Sequence, residues 1–188
     1  NILTGYLSAT SGTVKINGHD ILEEPALAKK CIGYLPEQPP LYLDMTVLEY
    51  LTFMCDLKQV PKAERIRQLA EIMRMVKIAD VSDRVIHNLS KGYKQRVGIA
   101  QAMIGNPEVL VLDEPTVGLD PKQIIEIRNL IISLGKTHTV ILSSHILPEV
   151  QAVCDRVVII NKGKIAAIDT PKALSHKLAN SSKLSLTF

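Results

Sequence analysis

Two adjacent carboxylates, Asp113 and Glu114, follow directly on the apolar run "VLVL" that begins at Val109. Such a run is typical of a parallel strand buried in a sheet, and ligands of open α/β sheets bind beyond the carboxyl ends of the strands. Successive strand residues point to opposite faces, so one acid could hold a metal ion while the other faces a reacting water. A single acid after a single run would more often just end a strand, so the interpretation depends on what else reaches this edge.

Three other segments carry polar residues that could meet these acids. "ILSSH" is a second apolar run and ends at His145. Ser90 and Gly92 open a helical segment, "LSKGYKQRVGIAQAM", whose free backbone N–H groups and dipole favour an anion. Gln38 follows a short apolar strand in "CIGYLPEQ". Each residue alone could simply be a helix cap, a turn residue or a packing residue. The four segments together are far more specific evidence for a functional site than any one of them.

The composition narrows the classes of function. The 188 residues are 46% apolar and 22% charged, which is typical of one globular domain. A net charge of +3 is too small to argue for nucleic acid. The three cysteines are scattered without a CxxC pair, which argues against a zinc site or a disulfide framework and fits a reducing compartment. No apolar run in the sequence approaches the ~18 residues of a membrane span.

Strand and helix signals alternate along the chain, which predicts an α/β fold with a mainly parallel sheet flanked by helices. The strands are expected in "GTVKINGHDI" (a hairpin that turns at Asn17-Gly18), "CIGYLPEQ" (stopped by Pro36), "VLVL", "HTVILSSH" and "RVVIINKGKIAAI" (a turn at Lys162-Gly163). The runs "VLVL" and "HTVILSSH" are both interpreted as buried strands.

Residues 46–105 have a helical period and are predicted to form an all-helical subdomain embedded in the domain. Thr46 caps its first helix, and the second helix is expected to bury the face formed by Ile66, Leu69, Met73 and Val76. Later helices are expected between Asp120 and Gly135, in "LPEVQAVCD" and in "TPKALSHKLANS", and "SKLSLTF" is interpreted as the start of a further strand.

Taken in order, these segments resemble the motifs of ATP-binding cassette (ABC) ATPases, from residue 1 to about residue 170. "YLPEQPP" resembles the glutamine loop, "LSKGYKQRVGIA" the signature motif, "VLVLDEP" the Walker B strand, "GLD" the D-loop and "SSH" the switch histidine. Lys91 and Tyr93 stand where the signature usually has glycine and glutamine. These departures, together with "DEPTVGLDP", are similar to the type-2 export branch with its multidrug and gliding-motility ATPases.

The resemblance implies a P-loop NTPase-like core that uses ATP and Mg²⁺. Asp113 would bind the metal ion through water, and Gln38 would reach it and relay the state of the nucleotide to a membrane partner. Glu114 would be the general base that orients the attacking water, a role worth about 10²–10⁴ in rate. His145 would contact the γ-phosphate and hold the water and Glu114 in place.

The resemblance also implies a dimer formed across the nucleotide. Ser90 and Gly92 would bind the γ-phosphate of an ATP that a second copy holds. Asp120 would help to join the two copies. Each ATP site would therefore contain residues from both copies.

The phosphate cradle G-x-x-x-x-G-K-[ST] does not occur in the sequence. "NILTGYLSATSG" resembles the end of the helix that this cradle opens, so residues 1–188 are expected to be a single truncated ABC ATPase domain without its N-terminal strands. The cradle is expected within about ten residues upstream of Asn1. The "VLVL" strand is then expected to lack a neighbour, with about 1–3 kcal/mol lost for each buried unpaired backbone group. The piece alone is expected to be poorly stable and inactive.

The expected function is an ATP-binding and ATP-hydrolysing subunit of an ABC membrane exporter. It would lie peripherally on the cytoplasmic face of a bacterial membrane, with a second ATPase copy and a transmembrane permease subunit as partners and no nucleic acid. The apolar stretch "PPLYLDMTVLEYLTFM" after Gln38 suits a groove for a coupling helix of the permease, although part of it must pack the subdomain itself. The alternatives are a soluble ABC ATPase acting on ribosomes or nucleic acid, and a cradle-free binding module. The apolar stretch after Gln38 and the lack of the "TNHLD" loop of the soluble translation-factor branch argue against the first alternative, and the presence of both Glu114 and His145 argues against the second.

Overall fold

The structure is a computed structural model that describes residues 2–175. The chain divides into two compact units, 1–143 and 144–188. The first unit contains, in chain order, β1 (Lys15–Ile16), β2 (His19–Asp20), α1 (Pro25–Lys30), β3 (Ile32–Leu35), α2 (Val47–Leu57), α3 (Lys62–Met75), α4 (Lys91–Met103), β4 (Val109–Asp113), α5 (Pro121–Leu134) and β5 (Thr139–Ser143). Two short 3₁₀ helices, Ala79–Val81 and Ile86–Asn88, lie between α3 and α4.

The sheet of the first unit has the order β3-β4-β5, and both pairings are parallel. Helix α4 packs closely on β3, because a Cβ at Gly33 would lie 2.1 Å from the carbonyl oxygen of Ala102. Leu35, Leu110 and Leu112 of the sheet are fully buried, as are Val97, Ile99 and Ala100 of α4. The prediction of an α/β fold with a parallel sheet flanked by helices is confirmed.

Two expectations about the apolar strands are wrong. The "VLVL" strand does not lack a neighbour, because β4 pairs with β3 on one side and β5 on the other, with Leu112 opposite both Leu35 and Leu142. The strand in "HTVILSSH" is not buried, since Thr139, Ile141 and Ser143 of β5 are all exposed. The chain returns from β4 through α5 to the free side of β4, so β3 and β5 are the two edge strands of the sheet, and within residues 2–175 no further strand pairs with β5.

The stretch 46–105 is helical, as its period predicts. Thr46 forms a complete capping box with Glu49 at the start of α2. Helix α3 buries Leu69 and Ile72, with Val76 buried just after it, but the predicted Ile66 is 84% exposed. In the first turn of α3 it is Arg65 that reaches back to α2. Its Nε donates to the carbonyl oxygen of Val60, and its guanidinium pairs with Asp56.

The residues before β3 differ in part from the sequence-based expectations. The hairpin turn at Asn17-Gly18 is confirmed, with β1 and β2 antiparallel on either side of it. Residues 2–7 form turns and not the end of a helix, with Gly5 in the left-handed region (φ 66°) and its N–H bonded to the carbonyl oxygen of Ile2. The short helix α1 is not predicted by any of the sequence patterns.

The second unit contains α6 (Leu147–Val153), β6 (Val157–Asn161) and β7 (Lys164–Asp169). Strands β6 and β7 form the predicted antiparallel hairpin, which turns at Lys162-Gly163 with positive φ at both residues. Residues 171–175 are helical, as expected for the final helix. The remainder of that helix and the strand expected in "SKLSLTF" lie outside the described residues. No helix found in residues 2–175 is both long and apolar enough to cross a membrane.

Candidate functional site

The two acids lie at the carboxyl end of the central strand, as the sequence predicts. Asp113 is the last residue of β4 and stands opposite Ser143, the last residue of β5. The Ser143 hydroxyl donates a hydrogen bond to Oδ1 of Asp113. On the other side of β4, burial and then the charge of Asp113 raise the pKa of Tyr34. The Asp113 carboxylate is therefore oriented by one neighbouring strand and electrostatically coupled to the other.

Glu114 is positioned by its backbone. Its φ of 47° lies in the left-handed region, which a glutamate adopts only at a cost of about 1 kcal/mol or more. The N–H of Glu114 donates to the carbonyl oxygen of Ser143 at 3.0 Å, which continues the ladder one residue past the strand. The side chain is partly buried. Its direction is thus set by a turn of the chain and not by the alternation of an extended strand.

A tight loop, residues 114–120, connects Glu114 to helix α5. The N–H of Val117 donates to the carbonyl oxygen of Glu114 at 3.2 Å, and the N–H of Leu119 donates to that of Thr116 at 3.2 Å. Asp120 then caps α5, since its Oδ1 accepts the N–H of Gln123 at 2.9 Å. Asp120 is exposed at the end of the loop, so its backbone is fixed while its side chain faces solvent.

Ser90 is the N-cap of α4, and its hydroxyl accepts the N–H of Tyr93 at 3.5 Å. The first turn of the helix is held from several sides. Tyr93 donates to Oδ2 of Asp80 at 3.1 Å, which raises the pKa of the Tyr93 hydroxyl. Lys94 donates to the carbonyl oxygen of His87 at 3.1 Å. The predicted anion-binding end of α4 is therefore a firmly anchored helix start, with Ser90 exposed and Gly92 buried.

The two remaining predicted site residues lie in loops that follow strands. Gln38 is exposed and comes three residues after the end of β3. His145 is exposed and comes two residues after the end of β5, but it belongs to the second unit. The structure thus brings Asp113, Glu114 and the Gln38 loop to the carboxyl ends of paired strands in the first unit. The role of His145 stays a prediction.

The residues at this edge fit Mg²⁺ in their chemistry. A magnesium ion in a nucleotide site is commonly held by one or two carboxylates, water and substrate phosphates, and not by a complete protein cage. Asp113 supplies a carboxylate whose orientation the Ser143 hydroxyl fixes, and Gln38 supplies an amide oxygen. Within the described part of the chain, no group of three or more His, Cys, Asp or Glu side chains could hold a metal alone. The donor set therefore suits a metal that arrives with its nucleotide.

Two contacts of this site escape the sequence-based reasoning. The hydrogen bond from Ser143 to Asp113 depends on the register of two strands whose partners are thirty residues apart. The polar residue at the end of each apolar run, Asp113 and Ser143, is a sequence signal from which this hydrogen bond could have been predicted. The packing of Gln123 against Gly92 has no sequence signal, since a Cβ at Gly92 would lie 2.6 Å from the Gln123 side chain. It joins α4 to α5 directly.

Comparison with known proteins gives a consistent result. A family model described as "ABC transporter" matches residues 1–117. The chain is 38% identical over 165 residues to the uncharacterized ABC transporter ATP-binding protein YxlF of Bacillus subtilis, which covers 88% of this chain and 54% of YxlF. It is 34% identical over 188 residues to the linearmycin resistance ATP-binding protein LnrL of the same organism, covering all of this chain and 60% of LnrL. The chain thus spans little more than half the length of these curated relatives.

The fold has close counterparts among solved structures. It is similar to cbiO1 from Clostridium perfringens, described as part of the ABC transporter complex cbiONQ, with a TM-score of 0.85 and 27% sequence identity. That match covers 94% of this chain and 73% of cbiO1. The similarity therefore extends over nearly the whole chain and includes the sheet whose edge carries Asp113 and Glu114.

Proposed function

Since this chain belongs to the ABC transporter family of ATP-binding proteins, we propose that it is the ATP-binding and ATP-hydrolysing part of a membrane exporter. The export direction is supported by the "GLD" loop and by the similarity to LnrL, which is named for resistance to linearmycin. The protein would act at the cytoplasmic face of a bacterial membrane.

One observation carries this proposal: two adjacent carboxylates at the carboxyl end of β4 are fixed by different means. The Asp113 carboxylate accepts the Ser143 hydroxyl, which leaves its other oxygen for a metal ion or its water. Glu114 is held by a left-handed turn and a backbone hydrogen bond to the carbonyl oxygen of Ser143. Because the two carboxylates are positioned independently, Asp113 can bind the metal ion while Glu114 transfers a proton.

In the proposed reaction, Glu114 accepts a proton from the water that attacks the γ-phosphate of ATP. Asp113 and Gln38 would hold Mg²⁺, which neutralises phosphate charge when bound. His145 would contact the γ-phosphate and orient the same water. Phosphoryl transfer depends mainly on positioning and charge stabilisation, so fixed side chains matter more here than a strongly perturbed base.

The proposed partners are a second ATPase copy and a membrane permease. Ser90 and Gly92 at the start of α4, and Asp120 at the start of α5, would face the nucleotide and chain of the second copy. The permease would contact the apolar surface after Gln38. Tyr42 there remains 54% exposed, although its ring packs edge-on against Phe53 with a centroid distance of 5.4 Å. An exposed aromatic ring on a firm base is a common feature of docking surfaces.

We also propose that the whole protein contributes a phosphate cradle and a further parallel strand. The outer edge of β5 supports this proposal, because no strand in the described part of the chain pairs with it. Its apolar Ile141 is 36% exposed beside that open edge. A strand with unpaired backbone groups and exposed apolar side chains is a template for another strand.

The test compares the two adjacent carboxylates at the end of β4, Asp113 and Glu114, in the whole protein. Glu114→Gln should lower ATP turnover by roughly 10²-fold or more while MgATP binding survives, because shape is kept and proton transfer is lost. A stable dimer should then appear in size-exclusion chromatography with ATP but not with ADP. Asp113→Asn should weaken Mg²⁺-dependent nucleotide binding itself.

The matched control is Glu108→Gln, since Glu108 is an exposed carboxylate just before the opposite end of β4, where its side chain interacts with Asn17 and Cys31. It should leave turnover unchanged. If Glu114→Gln hydrolyses ATP at nearly the parent rate, Glu114 is not the base. If the parent neither binds nor hydrolyses ATP, the proposed function is wrong.

A further inference from the structure

Helix α4 contacts the loop 114–120 through its first residue. A Cβ built on Gly118 would lie 2.0 Å from Nζ of Lys91 and 3.0 Å from its Cε. The end of the lysine side chain therefore lies directly over Gly118, in the space that a Cβ at position 118 would take. Gly118 also has a φ of 70°, so the loop needs glycine there for its backbone as well.

The next residue of α4 makes a second contact on the far side of Asp120. Gly92 packs against the side chain of Gln123, whose Cδ would lie 2.6 Å from a Cβ at position 92. Gln123 is also the residue whose N–H bonds to Asp120. Lys91 and Gly92 thus contact the chain at 118 and 123, and Asp120 lies between these two points.

The position of Lys91 is not explained by other interactions. It is exposed, and among residues 2–175 no hydrogen bond or ion pair involves its side chain. A solvent-exposed lysine commonly extends into water to keep its charge hydrated and its stem free. Here the end of the side chain, Nζ and Cε, lies over a glycine of another loop, which suggests that packing over Gly118 is its task.

We propose that Lys91 is a positioning residue that fixes the loop 114–120 against the start of α4. Ser90 and Asp120 would then be presented to the second copy as one rigid surface. This proposal deepens the proposed function and rests on it. The same loop begins at Glu114, so a nucleotide bound at Ser90 in one site would also restrain the base of the other site. Lys91 would in this way couple the two ATP sites of the dimer.

The first experiment separates packing from charge. In the whole protein, Lys91→Ala should lower kcat about tenfold and bring the Hill coefficient for ATP toward one, with little change in KM. Lys91→Met removes Nζ and its charge but keeps an unbranched side chain as far as the position of Cε, which lies 3.0 Å from a Cβ at Gly118, and it should retain most of the parent's kcat and cooperativity. If Lys91→Met is as impaired as Lys91→Ala, the charge acts on the nucleotide and the positioning role is wrong. A Lys91→Ala variant with parental kinetics would also overturn it.

The second experiment tests the contact itself with a double-mutant cycle. Gly118→Ala should lower the melting temperature more in the parent, where the end of Lys91 must also move, than in Lys91→Ala, where only the cost of positive φ remains. Gly163→Ala is the matched control, because Gly163 has a similar φ of 74° and nothing within 4 Å of a Cβ. Additive effects of the two substitutions would overturn the proposal.

The two kinds of failure can be told apart. If the parent protein shows no ATP turnover, the proposed function fails and the kinetic comparison cannot be made. The melting-temperature cycle needs no nucleotide and still tests the Lys91–Gly118 contact. If turnover is present but the cycle is additive, the proposed function stands and the positioning role of Lys91 is wrong.

Discussion

Arg96 connects three helices of the first unit through Glu126 and Val76. Removing Arg96 and removing its partner Glu126 should lower the stability by different amounts. Arg96 is buried, and its guanidinium forms an ion pair with Glu126 of α5 and donates to the carbonyl oxygen of Val76 at 2.9 Å. Val76 is the C-cap of α3. The Glu126 side chain is 34% exposed, whereas that of Arg96 is 9% exposed. Water can therefore reach the carboxylate of this pair more easily than the guanidinium.

The asymmetry sets the expected order of the two single substitutions. Glu126→Ala leaves a buried guanidinium without its carboxylate, which should cost about 3 kcal/mol. Arg96→Met keeps most of the side-chain volume, and the partly exposed Glu126 can be hydrated. The main loss is then the hydrogen bond to Val76, so the cost should be about 1–2 kcal/mol. Both values are measurable against a typical total stability of about 5–15 kcal/mol.

Urea unfolding of the whole protein and the two variants measures these differences from the midpoints, provided that the m-values agree. The double variant should be close to Arg96→Met alone, because Glu126 has no partner left to lose. Glu71→Ala, an exposed acid on α3, should stay within about 0.5 kcal/mol of the parent. If Arg96→Met costs as much as Glu126→Ala, or if the two effects add, the buried guanidinium does not dominate the pair.

Ser143→Ala removes the hydroxyl that orients Asp113 and should raise the Mg²⁺ concentration for half-maximal ATPase activity about tenfold; a Mg²⁺ dependence equal to the parent's would contradict this role. Tyr42→Glu should uncouple transport from ATP hydrolysis in reconstituted vesicles and leave basal hydrolysis largely intact, whereas Leu57→Glu, at the other end of α2, should leave coupling unchanged. Equal loss of both activities in Tyr42→Glu would show that this ring only packs the subdomain. Burial lowers the pKa of Lys58 to about 8 from an ordinary 10.5, so the unfolded chain holds more protons between these values. The stability of the parent should therefore rise from pH 8 to pH 10.5 relative to Lys58→Met, by roughly 2 kcal/mol, and equal pH slopes would show that Lys58 keeps its proton in the fold.

The elements of the fold were predictable where the signal is local. Thr46 and Asp120 each cap a helix with a side-chain oxygen, as their types and places predict. The parallel strand β4 follows from its unbroken apolar run. The turns at Asn17-Gly18 and Lys162-Gly163 follow from residues that tolerate positive φ. In all these cases the preference is decided within about four residues, so the sequence contains the whole cause.

Burial was less predictable, because it depends on which elements come together. Ile66 has the spacing of a buried residue, but the first turn of α3 meets α2 through Arg65 instead. The run in β5 has three apolar residues against four in β4, yet no strand pairs with the outer edge of β5 in residues 2–175 and its alternate residues are exposed. The apolar pattern indicates which residues favour burial, but it does not predict which neighbouring element will cover them.

In the candidate site, too, the residues themselves were predictable from local sequence, whereas the contacts that position them were not. Asp113 and Glu114 stand out because an acidic pair after an apolar run needs an explanation, and Ser90 because it can cap a helix and face an anion. The contacts that position these residues come from far along the chain. The register of β4 and β5 is what brings the Ser143 hydroxyl to Asp113. The end of the Lys91 side chain lies in the space where a Cβ at position 118 would be. A lysine in a motif that usually has glycine looks like a tolerated departure in the sequence, but in the structure it fills the space above a glycine 27 residues later. Departures from a family motif are therefore the positions at which the contacts in the fold should be inspected first.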